Sequence, residues 1–143
     1  MESIEKTIEV EAPVNKVYNQ WTQFEKFPEF MEGVEEVRQL DERHLHWVAE
    51  MGGKKKEWDA EIYEQVPDQR IAWRSTTGTR NAGKVDFLPK EPNRTRVTLK
   101  MDYEPEGALE HAVDALDVVS RQVEGNLERF KEFIQSSAKE NDA

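Results

Sequence analysis

The 143-residue chain has no cysteine, which excludes disulfides, thiolate catalysis and cysteine-ligated metals. That absence fits a reducing compartment. Positive charge is also scarce: 20 Lys and Arg stand against 30 Asp and Glu, a formal net charge of -10. A protein that grips nucleic acid needs clustered cations against the phosphates, so nucleic acid is not an expected partner. The same deficit opposes adhesion to anionic lipid. No apolar run approaches the roughly 20 residues of a membrane-spanning helix, so stable membrane insertion is not expected either. The amino terminus, MESIEKTIEV, shows neither a basic segment nor an apolar run. Without the marks of a signal peptide, a cytoplasmic location is expected. No repeat, linker or low-complexity segment interrupts the chain. The expectation is a single domain over residues 3–136 with a frayed tail at 137–143.

What the chain does have is alternation. Ile4, Ile8 and Val10 alternate with polar residues in a first strand near 3–11. Pro13 suits the first position of a short helix over 13–22, on which Val14, Val17, Tyr18 and Trp21 repeat at helical spacing. Phe24, Phe27, Pro28, Phe30 and Met31 form a second short helical or turn segment that plugs one end of the core. Six strands follow, at 34–40, 44–51, 56–66, 71–76, 82–88 and 94–103. Gly52-Gly53 marks a tight hairpin, and Pro89 to Asn93 reads as a turn. From Ala108 to Ser136 a stripe of Leu109, Val113, Leu116, Ser120, Val123, Leu127, Phe130 and Ile134 predicts one long amphipathic helix. Such a helix must dock on something. The order predicts an α+β fold in which a curved antiparallel sheet of about seven strands wraps the C-terminal helix.

The residues also resemble a known family. Ile8-Glu9-Val10-Glu11-Ala12-Pro13 followed by Val17-Tyr18 and Trp21 is one match, and Phe27-Pro28-Glu29-Phe30 leading into Val34 is another. Gly83-Lys84-Val85-Asp86-Phe87, Thr95-Arg96-Val97-Thr98-Leu99 and Leu127-Glu128-Arg129-Phe130-Lys131 complete the set. Together they resemble the polyketide cyclase/dehydrase and lipid-transport family of the START-like (SRPBCC) helix-grip superfamily. The resemblance spans residues 3–136, and its motifs describe fold rather than catalysis. It implies a cavity between helix and sheet, in a group that includes lipid and sterol carriers, coenzyme Q-binding proteins, plant pathogenesis-related allergens and aromatic-ring cyclases.

Trp47, Trp58, Trp73 and Phe87 each fall where a period-two strand aims them at the side of its aliphatic neighbours, so they are candidate pocket residues. Leu99, Met101, Val113 and Leu116 join them by the same parity and helical spacing. Ser75, Asn81 and Ser120 are polar residues at inward positions that would orient a guest. The segment Thr77–Arg80 and the region around Gly107 are candidate gates.

Other motifs are weaker. His44 and His46 share a strand face as a metal pair would, yet they lie opposite Trp47 and read as solvated; no metal or cofactor is expected. Glu57, Asp59 and Glu61 read as wet surface charge. Gly78 to Lys84 nearly spells a phosphate-binding loop, but Val85 replaces the Ser/Thr and a strand follows where a helix is required. No pair of titratable groups is placed together in the pocket, so no catalytic residue is assigned. The leading expectation is a non-enzymatic protein, monomeric or weakly dimeric, that binds a hydrophobic small molecule, lipid-like or polycyclic. The alternatives are an aromatic polyketide cyclase/dehydrase working in the same cavity and an accessory protein docking through an apolar edge.

Overall fold

The structure, a computed structural model, describes the backbone of residues 2–51, 54–78, 80–103 and 113–142 and the side chains of 3–50, 55–78, 80–102 and 119–136. Alternating residues build the strands β1 (Glu2–Val10), β2 (Val34–Gln39), β3 (His44–Met51), β4 (Lys54–Val66), β5 (Arg70–Gly78), β6 (Asn81–Glu91) and β7 (Arg94–Tyr103). They form one antiparallel sheet in the order β1-β7-β6-β5-β4-β3-β2. Each strand from β2 to β6 pairs with the next in sequence, and β1 closes the far edge against β7, with Ile8 opposite Val97. Bulges at Asp59/Ala60 and Ile62/Glu64 in the β4–β5 ladder, and at Val34/Glu36 beside β3, curl the sheet into a half-barrel.

A helix and a 3-10 turn fill the connection from β1 to β2, and a second helix follows β7. Helix α1 (Val14–Trp21) has Pro13 as its cap, with φ -63 and ψ 149, one position before the first helical residue where the sequence had set it. Pro13 supplies its carbonyl to the amides of Lys16 and Val17, so its own missing N–H costs the helix nothing. A 3-10 turn at Phe24–Glu29 follows. Helix α2 (Val113–Asp142) includes residues 137–142, which the sequence reading set aside as a tail.

Two strands end later than expected. Strand β6 runs on through Pro89 to Glu91, and the proline sits at an irregularity in the ladder, where its lack of a donor is tolerated. Strand β5 continues through Gly78. The hydroxyl of Thr77 donates to Asp59 Oδ2 at 3.0 Å and that of Thr76 to the Asp59 carbonyl at 3.3 Å, so half of the proposed gate at 77–80 is strand. Gly107, the other proposed gate, lies outside the described residues.

The core lies between the concave face and α2. Val119, Val123, Leu127, Phe130 and Ile134 are buried on the helix. Phe130 meets Trp21 edge-on at 4.8 Å and Phe30 at 5.5 Å. The fully buried Thr95 donates its hydroxyl to the Ala12 carbonyl at 2.9 Å, fastening the exit of β1 to β7.

Candidate functional site

A cavity of about 90 Å³ lies between α2 and the concave sheet. All four tryptophans of the chain, Trp21, Trp47, Trp58 and Trp73, are on its wall. Leu99 and Met101 from β7, Phe27 and Met31 from the region of the 3-10 turn, and Val119, Val123 and Leu127 from α2 complete most of the lining. An apolar cavity of roughly 150 Å³ takes up benzene, and this one is smaller.

Local sequence places the indoles. Trp47 and Trp58 are direct partners across the β3–β4 ladder, and their rings stack with centroids 5.8 Å apart and planes 8° from parallel. Trp73 lies over Gly83, its register partner on β6; a Cβ there would sit 2.2 Å from Trp73 Cζ2. Glycine at this position therefore makes room for the indole. The indole nitrogens of Trp21, Trp47 and Trp58 are buried without a hydrogen-bond partner. An unsatisfied buried donor costs about 1–3 kcal/mol, so three on one wall are a concentrated penalty.

Of the residues read from sequence as candidates, the structure brings Trp47, Trp58, Trp73, Leu99 and Met101 together on the cavity. Phe87 is buried but packs edge-on against Tyr18 at 5.6 Å and Trp21 at 6.4 Å, beneath α1 and off the described wall. Ser75 and Asn81 are off it too. The Ser75 hydroxyl accepts the Asn81 backbone N–H at 3.0 Å, which occupies it at the end of the β5–β6 hairpin. Ser120 is half-buried and absent from the wall, while its neighbour Val119 is 4% exposed and present. Both positions lie three or four residues before Val123, and a 3.6-residue turn favours either until the helix is docked. The side chains of Val113 and Leu116 lie outside the described residues. Sequence reasoning passed over Ala49, although it shares the Trp47 face, and also Val123 and Leu127, although they stood in the helical stripe. Trp21, Phe27 and Met31 reach the wall from a region with no long periodicity to announce them.

One side of the cavity is closed by polar groups. Gln122 Nε2 donates to the Glu32 carbonyl at 3.1 Å and to the Glu50 carbonyl at 2.8 Å. Arg129 Nε donates to the Phe30 carbonyl at 3.1 Å, and its guanidinium pairs with Glu32 at 3.5 Å. Gly33, at φ +90, leaves the space that the Gln122 amide fills. Outside this seam is a recess of about 400 Å³ that shares Glu50 and Gln122 with the cavity wall. The two spaces thus adjoin at these residues.

On the opposite, convex face the histidines are paired rather than merely solvated. His46 Nδ1 lies 2.6 Å from Asp59 and its Nε2 2.7 Å from Glu57; His44 lies 2.8 Å from Asp41 and 3.7 Å from Glu61. The hydrogen bond to Asp59 raises the His46 pKa above its ordinary value, burial opposes it, and the Glu57 bond adds to the rise. The three carboxylates of β4 therefore answer cations across the sheet, since Glu61 also meets Arg74 at 3.4 Å. No cluster of three metal-ligating side chains occurs among the described residues.

Comparison with known proteins agrees with this architecture. The family model for polyketide cyclase/dehydrase and lipid transport matches residues 10–132. An uncharacterised 17.2 kDa protein from the melC2-rnhH intergenic region of Streptomyces lincolnensis is 47% identical over 141 residues, covering 98% of this chain and 94% of that one. Among solved structures, the Zhui aromatase/cyclase from Streptomyces sp. R1128 superposes with a TM-score of 0.81 at 18% identity, covering 94% of this chain and 93% of that one. A START superfamily protein from Mycobacterium smegmatis gives 0.70 at 17% identity, with 96% and 97% covered. At such identities the two structures speak for the START-like fold alone. With the family model matched over most of its length, the chain belongs to the polyketide cyclase/dehydrase and lipid-transport family.

Proposed function

We propose that this protein binds a hydrophobic small molecule, lipid-like or polycyclic, between α2 and the sheet, and carries or sequesters it. The observation that supports this reading is the convergence of all four tryptophans on one apolar cavity. Indoles offer broad apolar faces, and pockets for flat or greasy guests are lined in this way. Met31 and Met101 on the same wall have the rotameric freedom to reshape it around a guest larger than the cavity. Of the described wall residues only Glu50 is ionisable, and it is exposed. General acid–base chemistry draws on paired groups within reach of the substrate, so the wall favours binding over ring closure.

Native mass spectrometry of freshly purified protein tests the reading by seeking a co-purifying guest. Titration of tryptophan fluorescence with fatty acids and flat aromatics tests it again, since every reporter faces the cavity. Trp73→Ala is expected to weaken any binding so detected. A protein that neither carries nor takes up an apolar molecule would refute the reading.

A further inference from the structure

Part of the cavity wall is a single chain thick. Met31 and Val34 line the cavity, while Glu32 and Gly33 between them line the recess outside. This stretch hangs between two posts. Before it, Phe30 packs on Phe130 and Phe133 of α2, with ring centroids 5.5 and 5.0 Å away. After it, Val34 enters β2 opposite Ala49 of β3.

Between the posts the stretch is fastened by hydrogen bonds and an ion pair. Gln122 holds the Glu32 carbonyl, Arg129 meets the Glu32 carboxylate, and the Gly33 carbonyl accepts the Glu50 N–H at 2.6 Å. The Glu32 side chain is 79% exposed and Glu50 is exposed too, so water can replace these partners. The packed rings of the Phe30 post have no such substitute. Gly33 supplies a pivot, since it holds φ +90 and a Cβ on it would collide with the Gln122 amide.

We propose that Met31–Gly33 is a door between the cavity and the recess, latched to α2 by Gln122 and Arg129. Opening exchanges the bonds at the Glu32 and Gly33 carbonyls for bonds to water and turns Met31 outward, while both posts stay packed. The door is thus a local opening and not a step of global unfolding. It concerns access alone and is read without a guest, so it stands or falls apart from the binding reading.

The chain has no cysteine, so Met31→Cys gives a single thiol on the cavity side of the door. Where reclosing outpaces labelling, its rate of reaction with dithiobis(nitrobenzoate) follows the population of open molecules. Adding Gln122→Ala or Arg129→Met is expected to raise that rate about tenfold. Dilute urea should leave the rate nearly unchanged, because a local opening exposes little surface. Val85→Cys, wholly buried and off the cavity wall, serves as the reporter of global unfolding, and its labelling should rise steeply with urea. Hydrogen exchange of the Glu50 amide, whose acceptor is the Gly33 carbonyl, repeats both measurements without a thiol and covers a Met31→Cys variant that fails to fold. Rates untouched by the two latch substitutions overturn the proposal. So does a urea dependence at Met31 and Glu50 equal to that at Val85.

Discussion

Trp47 and Trp58 face each other across a single rung of the β3–β4 ladder, 5.8 Å apart and within 8° of parallel. Stacked aromatics add about 0.5–1.5 kcal/mol beyond the area they bury. A double-mutant cycle with Trp47→Leu and Trp58→Leu, read by urea unfolding, is expected to return a coupling energy of that size. Additive losses would mean that the two rings are neighbours without mutual stabilisation.

Gly83 is expected to be intolerant of any side chain. A methyl group there meets the Trp73 ring at 2.2 Å, so either the indole leaves its place or β6 moves. Gly83→Ala should destabilise the protein by about 1–3 kcal/mol, the usual range for overpacking. The loss should shrink when Trp73 is also replaced by alanine, and chemical denaturation of the two single variants and the pair measures it.

Gln122→Ala removes two hydrogen bonds to main-chain carbonyls at the seam between cavity and recess. A loss of about 0.5–1.5 kcal/mol per bond is expected, the lower end applying because the site is exposed to water. Quenching of tryptophan fluorescence by acrylamide should rise at the same time. Quenching equal to that of the native protein would show that the seam is not a route inward.

The convex face predicts a pH dependence whose sign follows from the pairings. His46 and His44 have raised pKa values in the fold, chiefly through hydrogen bonds to Asp59 and Asp41. Their contribution is fully present below the ordinary histidine value of 6.5 and is lost as pH rises through the folded value. Asp59, lowered chiefly by its bond to His46, contributes above its ordinary 3.8 and loses that contribution as pH falls through its folded value. Stability from this cluster therefore peaks in weak acid and declines toward alkaline pH. His46→Gln should flatten the decline in urea midpoints measured from about pH 5 to about pH 8.

Strands and helices were legible in the chain because each carries its own period. The aromatics at Trp47, Trp58 and Trp73 fell on one face by counting in twos; Gly52-Gly53, where the sequence predicts the turn, lies outside the described residues, and Met51 pairs with Lys54 on either side of it. Pairing outward from that turn puts His46 opposite Asp59, so the convex ion pairs were within reach of the same count. Other features depend on docking, which no local period encodes. Val119 rather than Ser120 faces the cavity because of how α2 rolls on the sheet. The Gln122 bonds join a side chain to carbonyls 72 and 90 residues away. The volume left between interlocked indoles and helix is set by all of them together.

The order of the sheet bears on how the chain is made. Of the seven strands β1 is made first, yet its hydrogen-bonding partner β7 is made after the other six. Until β7 is made, β1 has only its own composition to keep it from pairing wrongly, and Glu5, Lys6 and Glu9 intersperse its apolar residues with charge. The pairing of β1 with β7 spans more of the sequence than any other in the sheet, and contacts of such separation slow folding because the loop between them must be closed first.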